Sequence, residues 1–197
     1  GVKGADGVDT YPVTETIHEA EILRASVSPA RTDDETCERA REVAIDVLEF
    51  LDGYGVYGIE LFETDEGEIL VNEIAPRPHN SGHWTIEGAH TSQFETHVRA
   101  VLGWPLGSTD LREPTVSVNI LGDVDEPEPA TLHNADSVLE SSNAHPHWYG
   151  KKQARPLRKM GHITVTDPDA DAAAAGDRDA LLDRAESLRD GVTFVGE

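Results

Sequence analysis

The sequence predicts an α+β chain, and three observations carry that prediction. Two short apolar runs, residues 56–62 and 69–74, flank a polar connector containing Gly67, as the strands of a hairpin do. Between Cys37 and Leu51 the apolar residues recur instead at helical spacing. Further strand-like runs at 116–121 and 163–165 are accompanied by helical patterns at 91–102 and around Leu181.

Taken in order, residues 1–31 read as extended, interrupted at Tyr11-Pro12 and ending in the loop signal Ser28-Pro29. Thr32-Asp33-Asp34-Glu35 has the form of a capping box. The helix behind it turns Cys37, Ala40, Val43, Ala44, Val47, Leu48 and Leu51 to the core, with Gly53 as its expected C-cap. After the hairpin, residues 76–83 are too rich in proline and polar groups for either element. The next helix is expected to point Phe94, Val98, Val101 and Leu102 inward and to stop at Gly103. Trp104-Pro105-Leu106-Gly107 reads as a boundary, dividing the chain into 1–106 and 107–197. Beyond it come the strand at 116–121, an acidic loop at 123–129, a polar stretch, the strand at 163–165, an acidic Ala-rich connection at 169–176 and a final helix on Leu181, Ala185 and Leu188.

Composition narrows the function. The 197 residues hold 38 Asp+Glu against 16 Lys+Arg, a formal charge of -22. Nucleic-acid backbones need cationic partners, so the charge argues against general nucleic-acid binding. The single cysteine, Cys37, rules out an internal disulfide and a Cys-rich zinc site. Without an apolar run of membrane-spanning length or a leader pattern, the expectation is a cytoplasmic protein with no membrane contact. The acids are spread along the chain, and a surface this acidic repels itself in dilute buffer. Concentrated salt shortens the Debye length to about 3 Å and removes most of that repulsion. The surface therefore reads as salt-adapted, with an acidic face for a basic partner as the rival reading.

Three constellations could carry chemistry. With an even-numbered loop, Glu60 lies opposite Val71, and Glu73, two residues further on, shares its face. Two carboxylates on one face suit a hard cation such as Mg²⁺ with nucleotide phosphates; one of them simply facing solvent is the alternative. Second, Arg77, His79, Asn80 and His83 fall in a loop stiffened by Pro76 and Pro78, which suits a small planar anion or merely bonds water. Third, Lys151, Lys152, Arg155, Arg158 and Lys159 put five cations into nine residues, and no acid interrupts residues 141–166. That segment reads as a phosphate site, with RNA contact or a structural ion-pair cluster as rivals, and Trp148 and Tyr149 before it could cover a ring. Neither a P-loop nor a dinucleotide-binding glycine motif occurs. His18 and Asn72 stay ambiguous.

The run Asn72-Glu73-Ile74-Ala75-Pro76-Arg77-Pro78-His79-Asn80-Ser81-Gly82-His83, then Gln93-Phe94-Glu95, Trp148-Tyr149-Gly150-Lys151 and Arg158-Lys159-Met160-Gly161-His162, resembles the N5-carboxyaminoimidazole ribonucleotide synthetases, ATP-grasp enzymes of purine biosynthesis. The resemblance runs from about Gly4 to Thr166. It implies the C-terminal half of an ATP-grasp domain, an antiparallel sheet with packed helices, followed by a small mixed β/α domain. It also implies a reaction: ATP phosphorylates bicarbonate to carboxyphosphate, and the amine of 5-aminoimidazole ribonucleotide is carboxylated. By this resemblance Glu60 and Glu73 hold Mg²⁺ (or Mn²⁺), and His18, Asn72 and Glu73 contact ATP. Arg77, His79 and Asn80 then lie at the carboxyphosphate and acceptor site, and Lys151, Arg155, Arg158 and Lys159 receive the ribonucleotide phosphate. A homodimer and an ATP-binding half supplied in cis or in trans are the implied protein partners, the chain alone being a partial and inactive enzyme. The formate-using glycinamide ribonucleotide transformylase of the same pathway and a non-catalytic assembly module are the alternatives. One departure stands out: Leu157 occupies the place of the glycine in the family's usual Arg-Pro-Gly-Arg-Lys, which strains the backbone if φ there is positive.

Overall fold

A computed structural model describes residues 1–170 and 175–194, so the centre of the acidic connection expected at 169–176 lies outside the described residues. The chain forms two compact units, Gly1–Glu15 with Ser28–Glu113, and Thr16–Val27 with Pro114–Glu197. The chain thus crosses between units inside its first thirty residues and again between Glu113 and Pro114, whereas the sequence pattern suggests a boundary after residue 106. Among the described residues no helix is long and apolar enough to cross a membrane.

In the first unit, β1 (Val2–Gly4) pairs antiparallel with both β2 (Gly7–Asp9) and β5 (Gly55–Val56). Helix α1 spans Asp34–Phe50 and buries Thr36, Ala40 and Leu48. Its N-cap is Asp33, one residue later than the capping-box reading places it: the Asp33 carboxylate accepts from Thr36 N at 2.8 Å. That bond, foremost among several, holds the Asp33 carboxyl below its ordinary pKa. At the other end the helix stops at Leu51, and Gly53 is not the cap. Lys3 takes over that task, donating to the carbonyls of Leu48, Glu49 and Leu51 at 3.0, 3.2 and 2.6 Å. A cation on the last carbonyls complements the negative end of the helix dipole.

The hairpin strands are β6 (Gly58–Glu63) and β7 (Ile69–Ala75). A short 3₁₀ turn at Asn80–Gly82 and α2 (Thr85–Gly88) lead to α3 (Gln93–Val101), capped by Ser92. The expected inward face of α3 is its outward one: Phe94, Val98, Val101 and Leu102 are 40–55% exposed, and Gln93, Thr96 and Ala100 are buried. Small and hydrogen-bonding groups are what that side requires. Ala100 packs with Val2 and Val56, and Thr96 Oγ1 lies 2.7 Å from the Tyr11 hydroxyl.

The second unit is built on a five-stranded sheet. Its strands are β3 (Glu15–Glu19), β4 (Ile22–Ser28), β8 (Thr115–Leu121), β10 (Ala144–Trp148) and β12 (Lys159–Thr166), in the order β10-β12-β8-β4-β3. The short strands β9 (Glu128–Pro129) and β11 (Gln153–Ala154) pair with each other. Helices α4 (Asp136–Glu140) and α5 (Ala175–Asp190) complete it, with Leu181, Leu182 and Ala185 of α5 in one core with Val116, Val118, Ile163 and Val165. The strand expected at 163–165 is longer and reaches back to Lys159, while the polar stretch before the cationic segment contains α4 and the edge strand β10. Pro146 is tolerated there because an edge strand leaves one side of its ladder unused.

Candidate functional site

The hairpin is closed by Thr64, whose N–H donates to Glu68 O at 3.0 Å and whose carbonyl accepts from Gly67 N at 2.9 Å. Gly67, at φ 79°, supplies the left-handed residue of this turn. From there the ladder runs Glu63↔Ile69, Phe62↔Leu70 and Leu61↔Val71, then shifts, so that Glu60 pairs with Glu73. The sequence expectation of Glu60 opposite Val71 is therefore corrected. Glu63 belongs to the strand, the loop has an odd number of residues, and Asn72 is the extra residue of a β-bulge. The shift turns two carboxylates that share a face into direct cross-strand partners. Side chains so paired stand about 5 Å apart at Cβ, and like charges there are destabilising. By strand alternation Phe62 and Leu70, both exposed, lie on the same face as the two acids.

The loop after β7 is held largely by its own backbone. Arg77 is exposed and donates to Pro78 O at 3.1 Å. His79 has its Nδ1 at 2.8 Å from Ser81 Oγ and 3.8 Å from Glu60 Oε1. Because serine and glutamate meet the same ring nitrogen, the trio is not a serine–histidine–acid relay, which needs one partner on each nitrogen. Asn80 Nδ2 and His83 Nδ1 are 3.1 Å apart, and the His83 ring leans on Phe94 with centroids 5.6 Å apart. Glu60, Asn72, Glu73, Arg77, His79 and Asn80 thus all belong to the first unit.

His18 and the cationic segment belong to the second. His18 is exposed on β3. The segment wraps a tight turn in which Arg158 N donates to Arg155 O at 3.0 Å. Pro156 and Leu157 are its central residues, and Leu157 has φ 58°, the left-handed value suspected from the missing glycine. Gly122 receives the turn: its carbonyl accepts from Leu157 N at 3.0 Å and its N–H donates to Arg158 O at 2.9 Å. A Cβ on Gly122 would stand 2.1 Å from Arg155 O.

The partners of these cations are informative. Lys151 Nζ donates to Lys159 O, Arg155 to Gln153 Oε1 at 3.1 and 3.0 Å, and Arg158 to Gln153 O at 3.0 Å. Among the described residues no carboxylate pairs with Lys151, Lys152, Arg155 or Arg158. The ion-pair-cluster reading therefore loses its support. Burial, with Arg158 adding to it, lowers the Lys151 pKa. Tyr149 is occupied internally: its hydroxyl is 2.8 Å from His162 Nδ1, Lys151 Nζ lies 5.6 Å above its ring, and burial raises its pKa to about 12. Trp148 leans on Phe194 at 5.5 Å.

Sequence reasoning gives no task to the residues that hold these groups in place: Ser81 and Gln93 stand without a role in the runs that carry the family resemblance, and Gly122 is missed. Gln93 bonds both backbone groups of His79, Ser81 reaches its ring, and Gly122 admits the cationic turn. A buried glutamine at the start of a helix has no compositional signature. The close approach at Gly122 would need the fold to be known first.

Residues 1–94 match the ATP-grasp domain family, and residues 115–176 match the phosphoribosylaminoimidazole carboxylase C-terminal domain family. The N5-carboxyaminoimidazole ribonucleotide synthase of Bacillus subtilis is 43% identical over 167 residues, which are 83% of this chain and 42% of that protein. The crystal structure of the N5-carboxyaminoimidazole ribonucleotide synthetase from Thermotoga maritima superposes with a TM-score of 0.86 at 43% identity, covering 100% of this chain and 51% of that one. The Aspergillus clavatus enzyme, solved in complex with ADP and 5-aminoimidazole ribonucleotide, gives 0.83 at 39% identity, covering 96% of this chain and 49% of that one. The chain spans less than half the length of the curated relatives it matches. With both domain types matched in order and the whole fold shared, the chain belongs to the N5-carboxyaminoimidazole ribonucleotide synthase family, of which it carries the C-terminal portion.

Proposed function

We infer that this chain serves the ATP- and bicarbonate-dependent carboxylation of 5-aminoimidazole ribonucleotide, within an enzyme whose remaining ATP-binding part lies outside these residues. One observation carries the reading. In a chain of charge -22, Lys151, Lys152, Arg155 and Arg158 have no carboxylate partner among the described residues. Cations kept from abundant acids are available to a phosphate, and guanidinium and ammonium groups are its usual partners.

The hairpin supports the other half of the reaction. Glu60 and Glu73 offer only oxygen donors, and no group of three or more His, Cys, Asp or Glu placed to hold a metal occurs among the described residues. Two carboxylates with open positions fit Mg²⁺, which commonly takes one or two carboxylates plus nucleotide oxygens and water. Bound with ATP, that ion would supply positive charge to the transferring phosphoryl group. Phe62 and Leu70 give a purine an apolar platform on the same face, with Asn72 at the bulge beside it. Arg77, His79 and Asn80 would orient the small planar anion made from bicarbonate and the attacking amine. His18 is assigned to the nucleotide by the family resemblance.

Calorimetry with 5-aminoimidazole ribonucleotide tests this. Lys151→Ala and Arg155→Ala are each expected to weaken binding at least about tenfold, the loss of one charge-assisted contact. Affinity equal to that of the unaltered chain would overturn the phosphate reading. We extend the reading to a salt-rich cytoplasm. Circular dichroism should report loss of structure as molar salt is diluted, and an unchanged spectrum down to dilute buffer would refute it.

A further inference from the structure

His79 is gripped by its backbone from a residue fourteen positions away. Its N–H donates to Gln93 Oε1 at 2.9 Å, and its carbonyl accepts from Gln93 Nε2 at 2.7 Å. His79 is extended, at φ -118° and ψ 153°, so its N–H and C=O point the same way, as in a strand offering both groups to a neighbour. One planar amide can answer both. Glutamate and methionine have the same reach but lack the donor or both functions, and asparagine is one methylene short.

The surroundings are built for this grip. Gln93 is 3% exposed, and its own N–H donates to Thr85 Oγ1 at 3.0 Å, which in turn donates to Gly82 O at 2.6 Å. A Cβ on Gly82 would stand 2.7 Å from Gln93 Oε1, and one on Gly58 would stand 2.6 Å from the Cβ of His79. Glycine at both places lets the 3₁₀ turn close over the amide and lets β6 press against the histidine. If packing were all that mattered here, an apolar side chain would serve without a buried polar group to satisfy.

We propose that Gln93 is a positioning residue: its buried amide fixes the backbone of His79 and thereby the direction of the imidazole, which Ser81 then locks at Nδ1. The inference deepens the functional reading and rests on it only in giving His79 a task; the grip itself can be tested apart. The test uses the full chain with ¹⁵N-labelled histidine and long-range ¹H–¹⁵N correlation of the imidazoles, with His79→Gln identifying the His79 signals. In the unaltered chain His79 is expected to show one tautomer. In Gln93→Glu and Gln93→Met its two nitrogen shifts are expected to converge toward the tautomer-averaged value, while the other histidines keep theirs. Unchanged His79 shifts in a folded variant would overturn the proposal. Should both variants unfold, hydrogen exchange in the unaltered chain decides: a strongly protected His79 amide is expected, and exchange at the rate of an unstructured amide overturns the grip. Ribonucleotide calorimetry on His79→Gln separates the two ideas, since undiminished affinity would remove His79 from the site and leave the clamp standing.

Discussion

The carboxylate hairpin of the first unit and the cationic turn of the second each sit at a β-bulge, and they carry strain of different kinds. On the hairpin the register slips between Leu61 and Glu60, and on β12 it slips between Lys159 and Gly161. The first slip leaves ordinary backbone and brings two negative charges face to face. The second leads into a turn whose charges rest on carbonyl oxygens and whose backbone carries the strain, with Leu157 left-handed and Gly122 in close contact with Arg155. Bulges re-aim side chains at the ends of regular pairing, and local strain gathers where ligands are held. Electrostatic strain disappears when a counter-ion arrives. Backbone strain is there whatever is bound. The two regions should therefore answer differently to mutation and to ligand.

The largest effect is expected at the cationic turn. Gly122→Ala puts a methyl group against the carbonyl of Arg155, which is backbone and cannot swing aside. Overpacking of this sort costs about 3 kcal/mol. Thermal unfolding should fall accordingly, and ribonucleotide affinity should fall with it because Arg155 and Arg158 flank the displaced peptide. Unchanged unfolding would mean that the turn is not seated on Gly122. Leu157→Gly at the neighbouring site should act in the opposite direction. A left-handed non-glycine residue costs about 1–2 kcal/mol, and glycine returns about 0.5–1 kcal/mol of that as unfolded-state entropy. A net gain of about 1 kcal/mol remains, roughly 3 °C in the midpoint for a chain of this size. A fall in the midpoint would show that the exposed Leu157 side chain contributes more packing than its backbone loses.

These two regions also mark where sequence reading stops. Helix α1 follows from periodicity, because it turns one stripe of residues to a core. The strands β6, β7 and β8 follow instead from short apolar, β-branched runs set between turn signals, since β8 is buried on both faces and β7 is largely exposed. The face of α3 does not: Phe94, Val98 and Leu102 form a good apolar stripe, but the side that packs must admit Ala100 against Val2 and a glutamine bonded to a distant backbone. The acid pair was legible as two carboxylates on one face and illegible as direct partners, since a bulge is set by loop closure and ladder geometry rather than by residue type. Similarly, the β3–β4 turn takes Ala20 and Glu21 at φ 50° and 63°, where the hairpin geometry would suggest Asn-Gly, so no turn signal announced it. The cationic segment was legible because charge contrast survives any fold. What it rests on was not: Gly122 meets the turn from about thirty-five positions away, and Gln153, though only two and five positions from Arg155 and Arg158, reaches them only once the turn has formed.

The smallest effect in the absence of ligand, and the one that best separates the two kinds of strain, is expected at the hairpin. Glu73→Gln keeps the side chain's shape and removes one of two facing charges. Without magnesium, relief of cross-strand repulsion should stabilise the chain by about 0.5 kcal/mol. The gain should shrink in concentrated salt, where screening has already weakened the repulsion. Magnesium should reverse the order. The unaltered chain gains stability by mass action as the ion is added, and the variant, holding a single charge, gains much less. Glu60→Gln should behave in the same way, and Glu66→Gln in the connecting loop should do neither. Equal magnesium-dependent shifts in Glu73→Gln and the unaltered chain would detach the carboxylate pair from the metal. The cationic turn would be untouched by that result, because its strain belongs to the backbone of Leu157 and persists with or without a bound ion.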